Sequence, residues 1–152
     1  MNEEEQVMVE FRNLFNKLAW LNKPKMEECL KDYKPSEVHC IEYIAKNTDP
    51  NVTKLAESFY VTKSAVSKLM KKLIEKGFIE SYQKSNNKKE VYFRLTSEGK
   101  KINQIHEKLH KEFQERDQSV FEQITKEQLH MMLAFAKNYN QHLDMEIKKI
   151  KR

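Results

Sequence analysis

Glycine is nearly absent from this chain: Gly77 and Gly99 are the two in 152 residues. A dinucleotide fingerprint needs three clustered glycines, and a phosphate loop needs two, five apart, before Lys-Ser or Lys-Thr. Both are excluded. Prolines number three. So few turn-forming residues argue against a turn-rich all-β fold and for long helices. Cysteines are two, Cys29 and Cys40, with no CxxC pair. That is no disulfide framework, and it points to a reducing compartment, the cytoplasm. Long apolar runs are also missing. The longest, Met131 to Ala136, falls far short of the ~20 residues of a membrane span. The first residues, Met1-Asn2-Glu3-Glu4-Glu5, are acidic and lack the basic start of a signal peptide.

Positive charge is plentiful and concentrated. The chain carries a net charge of +5. Between Thr62 and Arg94 stand Lys63, Lys68, Lys71, Lys72, Lys76, Lys84, Lys88, Lys89 and Arg94 against Glu75, Glu80 and Glu90, a local charge of +6. The remainder is nearly balanced. One basic third in a balanced chain implies a polyanionic partner at one face.

Periodicity orders the elements. Val7, Phe11, Leu14, Leu18 and Leu21 recur at steps of four and three, which predicts a helix from Glu3 to Leu21 with one apolar seam. Pro24 is expected to end it, leaving a linker to Pro35. Ser36 is the expected N-cap of a short helix that buries Val38, Ile41 and Ile44 or Ala45. After the turn at Asn47-Thr48-Asp49-Pro50, Thr53 is the expected cap of a helix from Lys54 to Phe59. Thr62 caps a third that ends at Gly77. The period then changes to two. Phe78 to Lys84 reads as a strand, Ser85 to Lys89 as a polar loop, and Val91, Phe93 and Leu95 as the returning strand. Thr96 opens a long helix to about Phe121, and the Thr125-Lys126-Glu127-Gln128 box opens the last, with Leu129, Met132, Ala136, Tyr139 and Leu143 as its seam. The fold class is mainly α with a small β-hairpin wing. It is a winged helix-turn-helix at 35–96, flanked by helices at 1–34 and 97–152 whose seams suit a second copy, all in one domain.

The third short helix has two faces. Val66, Leu69, Met70 and Leu73 share one, while Lys63, Ser64, Ser67, Lys68 and Lys71 lie on the other, near the N-terminus. A major groove admits one helix, whose N-terminal residues reach base edges. Small hydroxyls allow close approach, and lysines displace counterions from phosphate. Lys84, Asn87, Lys88 and Lys89 at the hairpin suit the neighbouring minor groove. Thr53 is a further candidate contact.

Over nearly its whole length the chain resembles the MarR family of winged-helix transcriptional regulators. The likeness rests on Val52-Thr53-Lys54-Leu55-Ala56, Ser64-Ala65-Val66-Ser67-Lys68-Leu69, Leu73-Ile74-Glu75-Lys76-Gly77-Phe78-Ile79 and Leu95-Thr96-Ser97-Glu98-Gly99. The resemblance implies a homodimer joined through its first and last helices, with Val7, Phe11, Leu14, Leu18, Leu129, Met132, Ala136, Tyr139 and Leu143 at the interface. It implies a double-stranded, roughly palindromic operator and a repressor. One feature departs from the pattern. The family's wing usually has Asp-x-Arg, where this chain has Asn87 and Lys89, a point charge in place of a planar fork.

Such a regulator implies a signal. His106 and His110, four apart on one helix face, could share a metal. With His39 they resemble the positions used by the zinc-responsive branch of the family, and Glu28 or Glu27 would add an oxygen ligand, making zinc a candidate effector. Val38 and Ile105 stand where that branch's second, acidic site would need carboxylates. A thiol switch at Cys29 or Cys40 and an organic ligand among Trp20, Tyr33, Phe59 and Tyr60 are the other candidates. The rival from another class is a winged-helix interaction module that docks an acidic protein through its basic face. No catalytic constellation supports an enzyme.

Overall fold

A computed structural model describes residues 1–150. In chain order the elements are α1 (Glu3–Cys29), α2 (Pro35–Lys46), α3 (Val52–Phe59), α4 (Lys63–Glu75), β1 (Ile79–Lys84), β2 (Asn87–Leu95), α5 (Ser97–Arg116), α6 (Gln118–Glu122) and α7 (Lys126–Ile150). The expected class, helices with a two-stranded hairpin, is observed. No helix among the described residues is long and apolar enough to cross a membrane. The chain divides into two compact units, Met1–Glu112 and Phe113–Arg152.

The first unit holds the core. Val38, Ile41 and Ile44 of α2, Leu55 and Ala56 of α3, and Val66, Met70 and Leu73 of α4 are buried, together with Ile79, Phe93, Ile102 and Leu109. The expected α2 stripe is therefore present, with Ile44 buried and Ala45 exposed. Cys40 is buried beside it, and burial pushes its thiol up to about 11. A thiol so rarely ionised is a core residue and a poor oxidant sensor.

Several boundaries differ from expectation. Helix α1 runs through Pro24 to Cys29. The proline removes one donor and crowds one carbonyl, but helical bonds resume beyond it, and Leu30 N–H still reaches the Met26 carbonyl at 2.9 Å. Glu28 and Cys29 are thus helical, with no linker there. Lys34, not Ser36, holds the N-cap position of α2, with Pro35 in the first turn. Proline suits that turn because its missing donor would be idle anyway. Asn51, not Thr53, caps α3: its Oδ1 accepts from Lys54 N–H at 2.9 Å. Thr62 does cap α4, accepting from Ala65 N–H at 3.1 Å. Gly77 sits at φ +80, the left-handed stop expected of it.

The hairpin is antiparallel, with Ile79 opposite Leu95, Ser81 opposite Phe93 and Tyr82 opposite Tyr92. An irregularity between Tyr82 and Lys84 brings Lys84 opposite Asn87. Asn87, Lys88 and Lys89 therefore belong to β2, and the connecting turn is shorter than the expected Ser85–Lys89 loop. Where α5 begins, Gly99 lies so close to the Phe78 carbonyl oxygen that an added Cβ would stand 2.0 Å from it.

Helix α5 ends at Arg116 rather than Phe121. Asp117 turns both carboxylate oxygens to the Arg116 guanidinium, at 2.9 Å each, and the chain restarts as α6. In the second unit Thr125 and Gln128 close the expected capping box, each side chain accepting from the other's backbone N–H at 3.1 Å.

Candidate nucleic-acid interface

Helix α4 separates its two faces cleanly. Val66, Met70 and Leu73 are buried, and Lys63, Ser64, Ser67, Lys68 and Lys71 are all exposed. The inward side chains fix the helix against the core, and the outward ones are left to meet a partner. Thr62 points its oxygen at the first turn, so the cap and the helix dipole leave backbone N–H groups at that end for an anion. Only Tyr60 to Thr62 separate α3 from α4. Tyr60 turns the chain at φ 56, a left-handed conformation a bulky side chain rarely adopts. Thr53 lies half-buried in the first turn of α3.

The wing is pinned at its base. The Asp49 carboxylate accepts from the Tyr82 hydroxyl at 2.7 Å and pairs with the Lys84 ammonium. The Lys84 bond, then the Tyr82 bond, hold the Asp49 carboxyl below its ordinary value. The same contact pushes Lys84 and Tyr82 up. Arg94 is engaged too: its Nε donates to Glu80 at 2.7 Å, and its guanidinium lies 5.1 Å from the Tyr82 ring centre. Lys88 and Lys89 are exposed. Asn87, at the family's acidic wing position, accepts from Lys89 and Glu90 backbone N–H groups at 3.3 Å. It braces the strand's own backbone and does not aim a cation.

The structure brings some of the expected metal ligands together. His106, 3% exposed, and His110 face each other with Nε2 atoms 3.0 Å apart. The third member is Glu42 of α2, whose Oε2 lies 3.4 Å from His106 Nδ1. Among the described residues these three form the cluster of metal-ligating atoms, and His39 and Glu28 are not in it. Glu42 went unnoticed in the sequence, although it lies one turn beyond His39. Burial first, and then His110, hold His106 below the usual histidine value, against the pull of Glu42. Burial raises the Glu42 carboxyl, but Lys46 and the histidines outweigh it.

The aromatic candidates are not gathered into one crevice. Tyr33 lines a cavity of about 220 Å³ with Met26, Leu30 and Val38. Phe59 lines another of similar size with Cys40, Val66 and Leu69. His39 borders both. Trp20 is 78% exposed and Tyr60 55%.

Comparisons with known proteins bear on this geometry. Residues 34–91 match the MarR family model. The HTH-type transcriptional regulator YvnA of Bacillus subtilis is 30% identical over 105 residues, 69% of this chain and 67% of that one. The chain belongs to the MarR family. PchR, another HTH-type transcriptional regulator of Bacillus subtilis, is 34% identical over 73% of this chain and 66% of its own length. The regulator YhjH from the same organism is 40% identical over 62% of this chain, which spans about half, 54%, of that relative. MarR-type folds cover nearly the whole molecule. Streptococcus pneumoniae FabT, solved in complex with DNA, superposes over 93% of this chain and 97% of its own at a TM-score of 0.74 and 22% identity. The Staphylococcus aureus MepR–DNA complex matches 88% of this chain and 93% of its own at a TM-score of 0.64 and 21% identity. The Bacillus subtilis relatives are HTH-type transcriptional regulators.

Proposed function

We propose that the protein is a homodimeric, sequence-specific binder of double-stranded DNA that represses transcription from a roughly palindromic operator. One observation carries the reading: Lys63, Ser64, Ser67, Lys68 and Lys71 of α4 are all exposed, while Val66, Met70 and Leu73 lock the helix into the core. Lys63, Ser64, Ser67, Lys68 and Lys71 enter the major groove, with Thr53 and Thr62 at its edge, and Lys88 and Lys89 meet phosphates beside the wing. That FabT and MepR were solved with DNA supports the reading. A second copy covers the apolar seams of α1 and α7, where no residue is buried in the single chain. The cytoplasm is the compartment that suits such a regulator.

The test is binding to the DNA upstream of the protein's own gene across a salt series. A Lys88→Gln, Lys89→Gln variant is expected to weaken all duplexes about equally and to flatten the salt slope by ~2. Unchanged binding would remove the wing's role. Indifference to every duplex, with retention on an acidic protein, would establish the interaction-module reading instead.

For the effector, the His106–His110 pair favours a divalent cation. Ligand atoms of Glu42, His106 and His110 all lie within 4.8 Å of one another, and two imidazoles with a carboxylate are a donor set that would suit zinc. Glu42 Oε2 lies 3.4 Å from His106 Nδ1 and would add the carboxylate oxygen to the two imidazoles. Held by these three residues, zinc would tie α5 to α2. Calorimetric zinc titration with and without operator is expected to show a coupling of ~1–3 kcal/mol. A His110→Ala variant that folds normally yet takes up zinc like the parent would refute the site.

A further inference from the structure

One carboxylate joins the wing to the turn that precedes α3. Asp49 lies in the turn between α2 and α3, in a left-handed conformation at φ 49 that Asp tolerates better than most residues. One of its oxygens takes the Tyr82 hydroxyl and the other the Lys84 ammonium. Two contacts from a single planar group fix orientation as well as distance. The backbone adds a third tie next door, where Phe93 N–H reaches the Pro50 carbonyl at 3.0 Å. Lys54 closes the turn from below, its Nζ 3.0 Å from the Asp49 carbonyl oxygen. The tyrosine is held in turn: its ring lies 5.5 Å from that of Tyr92, and Lys84 lies 5.3 Å above Tyr92. A bare carboxylate here would repel a polyanion, and the ammonium that cancels it comes from the wing itself. Lys84, 40% exposed, is therefore already matched with a negative charge. Arg94, paired with Glu80, is in the same position. The exposed pair Lys88 and Lys89 is what the wing has left for phosphate.

We propose that Asp49 is the residue that positions the wing against the helix-turn-helix, and that Lys84 serves as its tether and not as a phosphate contact. The inference rests on the DNA-binding reading above and reassigns Lys84 within it. A tether and a contact differ in one measurable respect. A phosphate contact releases counterions, and its loss flattens the slope of log affinity against log salt by ~0.9. A tether's loss lowers affinity and leaves the slope alone.

The experiment measures operator affinity of the full chain by fluorescence anisotropy across a salt series, for the parent, Asp49→Asn, Lys84→Met and the double variant. Asparagine keeps an acceptor for Tyr82 and tolerates the left-handed turn, so folding is preserved. Each single variant is expected to bind about tenfold more weakly at the parent's slope, with the double no weaker than the worse single, as for two residues acting through one contact. A slope flattened by ~0.9 in Lys84→Met, with losses that add in the double variant, would overturn the proposal and restore Lys84 as a DNA contact. A DNA-free arm follows the Tyr82 phenol by NMR titration. It is expected to ionise at lower pH in Asp49→Asn than in the parent, and an unmoved titration would show that the clamp is not formed. A parent that ignores every duplex removes the DNA reading, whereas the phenol titration judges the clamp on its own.

Discussion

Glu37 shows how much can depend on one residue in a small core. It is 1% exposed, yet it is an acid. Its oxygens accept from the Lys34 backbone N–H at 3.0 Å and from the Lys76 ammonium at 2.7 Å. One side chain therefore caps α2 and ties it to the C-terminal end of α4. Burial raises its carboxyl, but Lys76, the Lys34 N–H and the Lys34 charge together hold it below the ordinary value. A group lowered on folding stabilises the native state above its unfolded value, near 4.5, and loses that contribution as pH falls through the folded value. Glu37→Ala is expected to cost ~1–3 kcal/mol near neutrality in urea unfolding, because a backbone donor is orphaned while the half-exposed Lys76 regains water. Glu37→Gln should weaken the fall in stability on acidification relative to the parent. An acid limb identical to the parent's would show that the pair does not form. Nothing in the sequence marked this residue. Its partner lies 39 positions away, and the Asp49–Lys84 pair spans 35. Residues that work locally, Thr62 as a cap and Gly77 as a stop, were legible because their partners lie within one turn. Glu42 was hidden for the same reason as Glu37: its role appears only when α2 meets α5.

At the scale of elements, periodicity and caps together found both strands and every helix among the described residues except α6, which was merged into α5, and several ends were misplaced. Asn51 and Thr53 both carry acceptors that can cap, and only the extended backbone at Asn51, φ −138 and ψ 176, decides between them. Pro24 reads as a terminator because its local cost is certain, whereas the helical bonds on either side of it are visible only in three dimensions. The break at Asp117 was missed because a single aspartate in a polar stretch carries no periodic signal. Helix α4 is the element on which the proposed DNA binding rests, and Thr62 caps it as expected. Thr62→Ala removes the bond to Ala65 N–H and is expected to lower stability by ~1 kcal/mol, within the usual range of ~0.5–2 for such caps. The fraying falls on the turn that carries Lys63 and Ser64. Operator affinity should therefore drop by more than loss of the α5 cap, Thr96→Ala, which removes the bond from Gly99 N–H, produces under the same salt. Equal losses at the two helices would mean that the first turn of α4 does not touch DNA.

The two longest helices leave apolar surface uncovered in the single chain. Helix α1 has 27 residues and α7 has 25, and none is buried in either. Of the anticipated seams, Val7, Phe11 and Leu14 on α1 are 42, 37 and 48% exposed, with Leu18 intermediate. Leu129, Met132 and Leu143 on α7 are 43–44% exposed, with Tyr139 at 36% and Ala136 also exposed. Contiguous apolar stripes of this length are rare on monomers and mark an interface. On the proposed reading, a two-fold dimer would present two copies of α4, and half-sites one helical turn apart, ~34–36 Å, would make the operator a palindrome. Linking two weak half-site contacts raises overall affinity by ~10²–10⁴ without a new contact to DNA. Leu129→Glu with Met132→Glu places charge in the seam without touching α4 or the wing. Sedimentation velocity is expected to show the parent as a dimer and this variant as a monomer with unchanged helical content. Its affinity for a two-half-site duplex should fall at least ~100-fold, to the level the parent shows for a single half-site. A variant that remains a dimer, or a monomer that still prefers the full palindrome, would separate the seam from recognition, and a grip by two coupled copies of α4 could then no longer explain specificity.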